Sequence, residues 1–276
     1  MPNPQPLVLA IANQKGGVGK TTTAINLAAG LAARDLPTLL IDLDPQGNAS
    51  TGLGFDRAGS FIGTYELLLG DRPITDAISA TSVRNLSLIA ADTDLVGAEI
   101  ELVEAEDRSH RLAKALSGLP KGRFRTVVID CPPSLGLLNL NGLTAADAVL
   151  VPLQCEFFAL EGISQLMRTI DRVKGGLNAR LKLAGIVLTM YDRRNNLTEL
   201  VADDARSFFG DKVYETTIPR NIRISESPSH GLPVLTYDPR SSGAIAYMQL
   251  VDELIRRENL AYVHRPDPSP SMEACR

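Results

Sequence analysis

No stretch of this 276-residue chain approaches the roughly 18–20 consecutive apolar residues that a membrane-spanning helix needs. Cysteine is scarce. Cys131, Cys155 and Cys275 have neither metal-ligand nor Cys-x-x-Cys spacing, which fits a cytosolic protein with reduced thiols. The opening Met-Pro-Asn-Pro-Gln-Pro lacks the basic and apolar regions of a signal peptide. Positive charge is also short: the formal net charge is −4, so any contact with nucleic acid must come from a local basic patch. What remains is 44% hydrophobic and 22% charged, a globular composition with room for one substantial α/β domain or two small ones.

Apolar, β-branched runs alternate with segments of helical period for most of the length. Strands are expected at 7–12, 38–43, 86–90, 126–131, 148–152, 183–190 and 213–216. Helices are expected at 20–34, 99–116, 137–145, 160–173, 197–209 and 243–258. Runs such as Val127-Val128-Ile129 are apolar throughout, as in strands covered on both faces. This alternation predicts an α/β fold, a doubly wound and mostly parallel sheet flanked by helices. Leu160, Ile163, Leu166, Met167, Ile170 and Val173 recur three or four apart and read as a core-facing stripe. The acidic stretch from Asp92 to Asp107 is interleaved with Leu95, Ile100, Leu102 and Val103, and reads as the solvated face of an amphipathic helix. One domain is expected over residues 1–262, followed by a Pro- and Ser-rich tail, 263–276, expected to be disordered.

Between the first strand and the first helix lies Asn13-Gln14-Lys15-Gly16-Gly17-Val18-Gly19-Lys20-Thr21-Thr22. A strand, a glycine-rich turn ending in Gly-Lys-Thr and then a helix form a phosphate cradle. Backbone N–H groups and the helix dipole converge on the anion, and the glycines allow its close approach. Lys20 would neutralise the β- and γ-phosphates, and the Thr21 hydroxyl would ligate Mg²⁺. The usual pattern has a glycine where Gln14 stands, and a second lysine, Lys15, opens the loop. This form resembles the deviant Walker A loop of the ParA/MinD ATPase superfamily. The resemblance implies that Lys15 reaches across a nucleotide-sandwich dimer to the phosphates held by the other subunit.

Two further segments end in carboxylates. Leu39-Leu40-Ile41-Asp42-Leu43-Asp44 delivers Asp42 and Asp44 at the C-terminal end of a strand, where ligands sit in open α/β sheets. Alternation sends both to the same side. The segment resembles the family's switch I, which implies that Asp44 positions the attacking water; a turn or helix-cap role is its plainer reading. Thr126-Val127-Val128-Ile129-Asp130 is a Walker B arrangement in which Asp130 would hold Mg²⁺ through a bound water. The following Pro132-Pro133 matches switch II. No Asn-Lys-x-Asp guanine motif occurs, which favours ATP over GTP. Ile218-Pro219-Arg220-Asn221 resembles the family's adenine-proximal segment, so Pro219 and Asn221 are the candidate base contacts, although a turn and helix cap would read alike.

The resemblance runs from Ile11 to about Leu254 and lies with the chromosomal ParA, or Soj, branch. It is carried by Ala12 to Thr23, Asp44-Pro45-Gln46-Gly47-Asn48, residues 151–162 and 218–231, and Tyr237-Asp238-Pro239-Arg240-Ser241-Ser242-Gly243-Ala244. It implies a cytoplasmic, nucleoid-associated ATPase whose ATP-bound homodimer binds double-stranded DNA without sequence preference. A ParB-type centromere-binding partner would stimulate hydrolysis and release the dimer. Arg194 and Arg223 match the family's DNA-contacting arginines, with Arg193 and Arg220 as helpers; the plainer reading has them solvated or paired with Asp192 and Glu226. The few residues before the first strand leave no room for the helix-turn-helix domain of some plasmid relatives, and lysine-rich DNA arms are missing.

Rival readings share the loop. A MinD-like membrane-cycling ATPase would need a basic amphipathic C-terminal helix, and the last helix here breaks after few apolar positions. An iron–sulfur carrier would need cysteines placed to bridge a dimer, whereas Cys131 and Cys155 read as small buried residues. A non-hydrolysing scaffold does not fit the presence of Lys20, Thr21, Asp44 and Asp130 together.

Overall fold

Strand ends decide where chemistry can sit in an open α/β sheet. The computed structural model describes residues 5–134, 136–156 and 159–260, with the backbone alone for 159–161. The tail expected at 263–276 lies outside the described residues. The strands are β1 (Leu7–Ile11), β2 (Thr38–Asp42), β3 (Ser79–Ala80), β4 (Leu86–Ile89), β5 (Thr126–Asp130), β6 (Ala148–Gln154), β7 (Lys182–Tyr191) and β8 (Val213–Pro219). They form one eight-stranded sheet in the order β3-β4-β2-β5-β1-β6-β7-β8. All neighbours pair parallel except β3 with β4. Ile11 lies in register with Asp130, and Asp130 with Asp42, so three strands end at one level.

The helices are α1 (Lys20–Ala33), α2 (Asn48–Gly52), α3 (Thr64–Leu69), α4 (Ile74–Ala77), α5 (Leu95–Glu101), α6 (Arg111–Leu116), α7 (Leu137–Ala145), α8 (Ala159–Gly176), α9 (Asn196–Phe209), α10 (Ile222–Glu226), α11 (Val234–Tyr237) and α12 (Ser242–Arg257). Alternation along the strands builds two cores. Ala10, Leu39, Ile41, Val127 and Ile129 face one layer, containing α3 to α9. Leu9, Ile11, Leu40, Val128 and Leu150 face the other, built on α1, α2, α11 and α12. The same period sends Asp42 and Asp130 toward the α1 layer. There α1 crosses α12 closely at Gly30, where a Cβ would stand 2.5 Å from Val251 Cγ2.

In α8, Ile163, Leu166, Ile170 and Val173 are buried as expected; the Leu160 side chain lies outside the described residues. The helix expected at 99–116 is instead two, α5 and α6, joined by turns and a short 3₁₀ segment, Arg108–His110. Like charges three residues apart at Glu101 and Glu104 disfavour a continuous helix there. The apolar partition also differs: Leu95 and Leu102 are buried, whereas Ile100 and Val103 are exposed.

The last strand is irregular. Its register against β7 shifts between Ile186 and Leu188, leaving Glu215 and Thr216 bulged. Both of their backbone N–H groups are taken by the Glu253 carboxylate of α12, at 2.9 and 3.0 Å. One turn on, Arg257 stacks over the Tyr214 ring at 4.1 Å and donates to the carbonyls of Asp211 and Val213.

Candidate active site

The loop between β1 and α1 is an open concave turn. Gly17 and Gly19 take positive φ angles of 76° and 86°, and a Cβ on Gly16, Gly17 or Gly19 would meet nothing within 4 Å. Val18 is the loop's anchor: its side chain is buried, and its carbonyl accepts the Thr189 hydroxyl of β7 at 2.9 Å. Asn13 bridges to the Pro152 carbonyl and caps the Lys15 N–H. The N-terminus of α1 has no side-chain cap and no acid in its first turn, so its free N–H groups face the concavity.

Two lysines meet here. Lys20 is buried, and its ammonium donates to the Lys15 carbonyl at 2.9 Å. Burial pulls its pKa below the usual lysine range, while the charges of Asp130 and Asp44 oppose that shift. Lys15 points elsewhere, pairing with Glu156 at 2.5 Å; the Gln154 amide binds the other oxygen of that carboxylate. Glu156 was missed by the sequence reading. Its signal was position, just past the end of β6, the strand beside β1.

Three acids complete the cluster. Asp42 is fully buried and accepts the Ser50 N–H at 2.8 Å, the Ser50 hydroxyl at 2.7 Å and the Asp44 N–H at 3.2 Å. Burial still pushes its pKa up to about 6. Asp44 is 9% exposed and accepts the Gln46 N–H at 3.0 Å, a turn contact that leaves its second oxygen outside that bond. Asp130 is fully buried, and neither of its oxygens has a hydrogen-bond partner. Burial, then the neighbouring Asp42 charge, raises its pKa well above the carboxylate range, while Thr21 and Lys20 favour its charged form. An orphaned buried carboxylate beside a threonine hydroxyl and an open glycine loop fits a hard cation such as Mg²⁺ with an attached phosphate.

The remaining candidates lie past the ends of β7 and β8. Tyr191, Asp192, Arg193, Arg194, Pro219 and Arg220 border a cavity of about 540 Å³. Arg194 grips Asp192 with two bonds of 3.0 and 2.9 Å, holding that carboxyl down to about 2. Arg223 stands apart on α10, paired with Glu226 at 3.0 Å and Asp238 at 3.4 Å. In the isolated chain those two arginines are thus paired with Asp192 and with Glu226 and Asp238. Asn221 caps α10 through Arg223 N–H at 2.8 Å and donates to the Ser242 hydroxyl at 2.8 Å. Cys131 and Cys155 are buried free thiols, and burial raises both pKa values. Among the described residues no cluster of His, Cys, Asp and Glu could hold a metal ion by itself, and no helix is long and apolar enough to cross a membrane.

Known proteins share this framework. The AAA domain family matches residues 7–183. Chromosome partitioning protein ParA of Caulobacter vibrioides is 59% identical over 252 residues, spanning 91% of this chain and 94% of that protein. The sporulation initiation inhibitor protein Soj of Bacillus subtilis is 51% identical over 247 residues, 90% of this chain and 97% of its own length. Among solved structures, a Mycobacterium smegmatis protein described as cobyrinic acid a,c-diamide synthase, with ADP and magnesium bound, superposes with a TM-score of 0.81. It is 41% identical and covered to 96%, against 92% of this chain. With half or more of its residues shared over nine-tenths of its length, this chain belongs to the ParA/Soj family of chromosome-partitioning ATPases.

Proposed function

We propose that this chain is an ATP-dependent DNA-partition ATPase. Its ATP-bound homodimer holds double-stranded DNA without sequence preference, and a ParB-type partner releases it by stimulating hydrolysis. The observation that carries the reading is the buried Asp130 carboxylate, which no donor meets at full hydrogen-bond geometry, beside Lys20 and Thr21 and the open glycine loop.

The backbone of Gly16 to Thr22 cradles the phosphates. Lys20 would turn from the Lys15 carbonyl to the β- and γ-phosphate oxygens, and Thr21 and Asp130 would hold Mg²⁺, which would supply neutralisation of charge on those oxygens. Pro219 and Asn221 border the adenine. Lys15 leaves Glu156 and neutralises charge on the phosphates of the facing subunit, where charge develops during phosphoryl transfer. Asp44 orients the attacking water, and Asp42 pins the loop that carries Asp44 through Ser50.

Arg194 and Arg223, helped by Arg193 and Arg220, contact DNA phosphates. Dimerisation doubles these contacts, so affinity depends steeply on salt and on the triphosphate state. On this reading the working protein sits on the nucleoid, in the cytoplasm. The test is binding to a non-specific duplex with no nucleotide, ADP, ATP and a non-hydrolysable analogue across a salt series. Binding confined to the triphosphate states supports the reading; no binding in any state withdraws the partition role.

A further inference from the structure

The turn that carries Asp44 is gripped from outside by Arg57. Gly47 N–H donates to the Asp44 carbonyl at 2.8 Å, closing a turn from Asp44 to Gly47. Within it Gln46 is held at both ends. Its N–H donates to Asp44 Oδ1 at 3.0 Å, and its carbonyl accepts Nη1 of Arg57 at 2.8 Å. Gly47 gives the guanidinium room. Its φ is 63°, and a Cβ there would stand 2.5 Å from Arg57 Nη1 and 2.8 Å from the Ala91 carbonyl. The turn is thus clasped between Arg57 and the chain just past β4.

Arg57 comes from residues 55–63, a segment with neither helix nor strand. Phe55 and Phe61 close its base, their rings edge to face at 5.0 Å and packed on the α1-layer core. Among the described residues no carboxylate pairs with the guanidinium, and neighbouring Asp56 accepts the Ala58 N–H at 2.9 Å instead. An arginine laid on a carbonyl, with no acid to pair with, is spent on holding backbone.

We infer that Arg57 is a positioning residue for hydrolysis, acting through Gln46 on the Asp44 carboxylate; this rests on the water-orienting role proposed for Asp44 above. With the Gln46 carbonyl fixed, the backbone cannot rotate there in the way that would swing its N–H off Asp44. The carboxylate then keeps one facing toward the phosphates. Placement of this kind matters greatly, since an error of about 1 Å can cost about 100-fold in rate. The bond that Arg57 makes is to the turn and not to the glycine loop, so ATP binding does not depend on it.

The experiment measures ATP turnover and equilibrium ATP binding for the full chain and for Arg57→Ala, Arg57→Lys and Asp44→Ala. Arg57→Ala should lower kcat at least about tenfold while KM for ATP and ATP-dependent DNA binding stay within about twofold. Arg57→Lys keeps a charged donor without the planar fork and should recover part of the loss. Free guanidinium ion at tens of millimolar should speed Arg57→Ala and leave Asp44→Ala unmoved. Amide exchange at Gln46 should quicken in Arg57→Ala and slow again with guanidinium. In single-turnover measurements the double variant should be no slower than Asp44→Ala.

Three results overturn the inference alone: Arg57→Ala turning over at the parent rate beside a slow Asp44→Ala, losses that multiply in the double variant, or a joint fall in kcat and ATP affinity that guanidinium leaves uncorrected. The last is the mark of a merely structural role. Parent-rate hydrolysis by Asp44→Ala overturns the water-orienting reading and, with it, this inference.

Discussion

Asp42 and Asp130 stand side by side in register at the ends of β2 and β5, yet only Asp42 has hydrogen-bond donors. Both pKa values are raised by burial, Asp42 from 3.8 to about 6 and Asp130 well above the usual carboxylate range. A raised carboxyl pKa means that the folded state holds the proton better than the unfolded chain does. The stability contributed is complete below the unfolded value and is lost as pH rises through the folded one. For Asp42 that loss amounts to about 3 kcal/mol by neutral pH. The nucleotide-free chain should therefore gain stability from these two groups on going from pH 7 to pH 5.

Replacing Asp130 separates its two roles. Asp130→Asn removes a buried carboxyl that burial and the Asp42 charge make costly to ionise, so the nucleotide-free variant should be more stable at pH 7. The same variant should lose Mg²⁺-dependent hydrolysis by at least about 100-fold. Thermal unfolding at pH 5 and 7, paired with turnover at several Mg²⁺ concentrations, checks both. A variant less stable at pH 7 would show that Asp130 has a partner in solution.

The lysines are expected to fail differently. Lys20→Ala should abolish nucleotide binding. Lys15→Ala should bind ATP within roughly threefold of the parent while losing dimerisation and turnover, because its task is on the facing subunit. Calorimetry with a non-hydrolysable analogue, followed by sedimentation, distinguishes them.

Asp44→Ala should trap a late state. Nucleotide and DNA binding persist, hydrolysis falls by about 100-fold or more, and the ATP-loaded dimer stays on DNA. Dissociation rates after dilution into competitor duplex measure this. Hydrolysis at the parent rate would remove Asp44 from the water-orienting role.

Among the arginines, Arg194→Ala and Arg223→Ala should each weaken DNA binding and flatten its salt dependence. Each removes two phosphate contacts per dimer, so the log–log slope should fall by about 2. Asp192→Asn should act the opposite way, since it frees Arg194 from its bidentate pair. Anisotropy with one duplex at four salt concentrations is sufficient.

The strands and the loop were legible because their patterns are local. Continuous apolar runs ending in Asp42 and Asp130, and glycines at the two positive-φ sites of the loop, state their roles within a few residues. Glu156 was not legible, because it meets Lys15 only after β6 is laid beside β1. The break between α5 and α6 was hidden by the run of apolar residues on both sides of it. Helical period alone does not report that Leu102 and Leu112 are buried by different helices. Nor could sequence decide that Asp192 and Glu226 occupy Arg194 and Arg223, since charge spacing fits solvation equally well.

The bulge in β8 bears on how the chain meets other chains. A plain edge strand offers a row of open amides on which a further strand can grow. Here Glu253 has already claimed two of them, and Pro219 at the strand's end has none to offer. Growth by adding strands is discouraged at that edge. Encounters on that side of the molecule are left to loops and helix faces, contacts that can form and dissolve without extending the sheet.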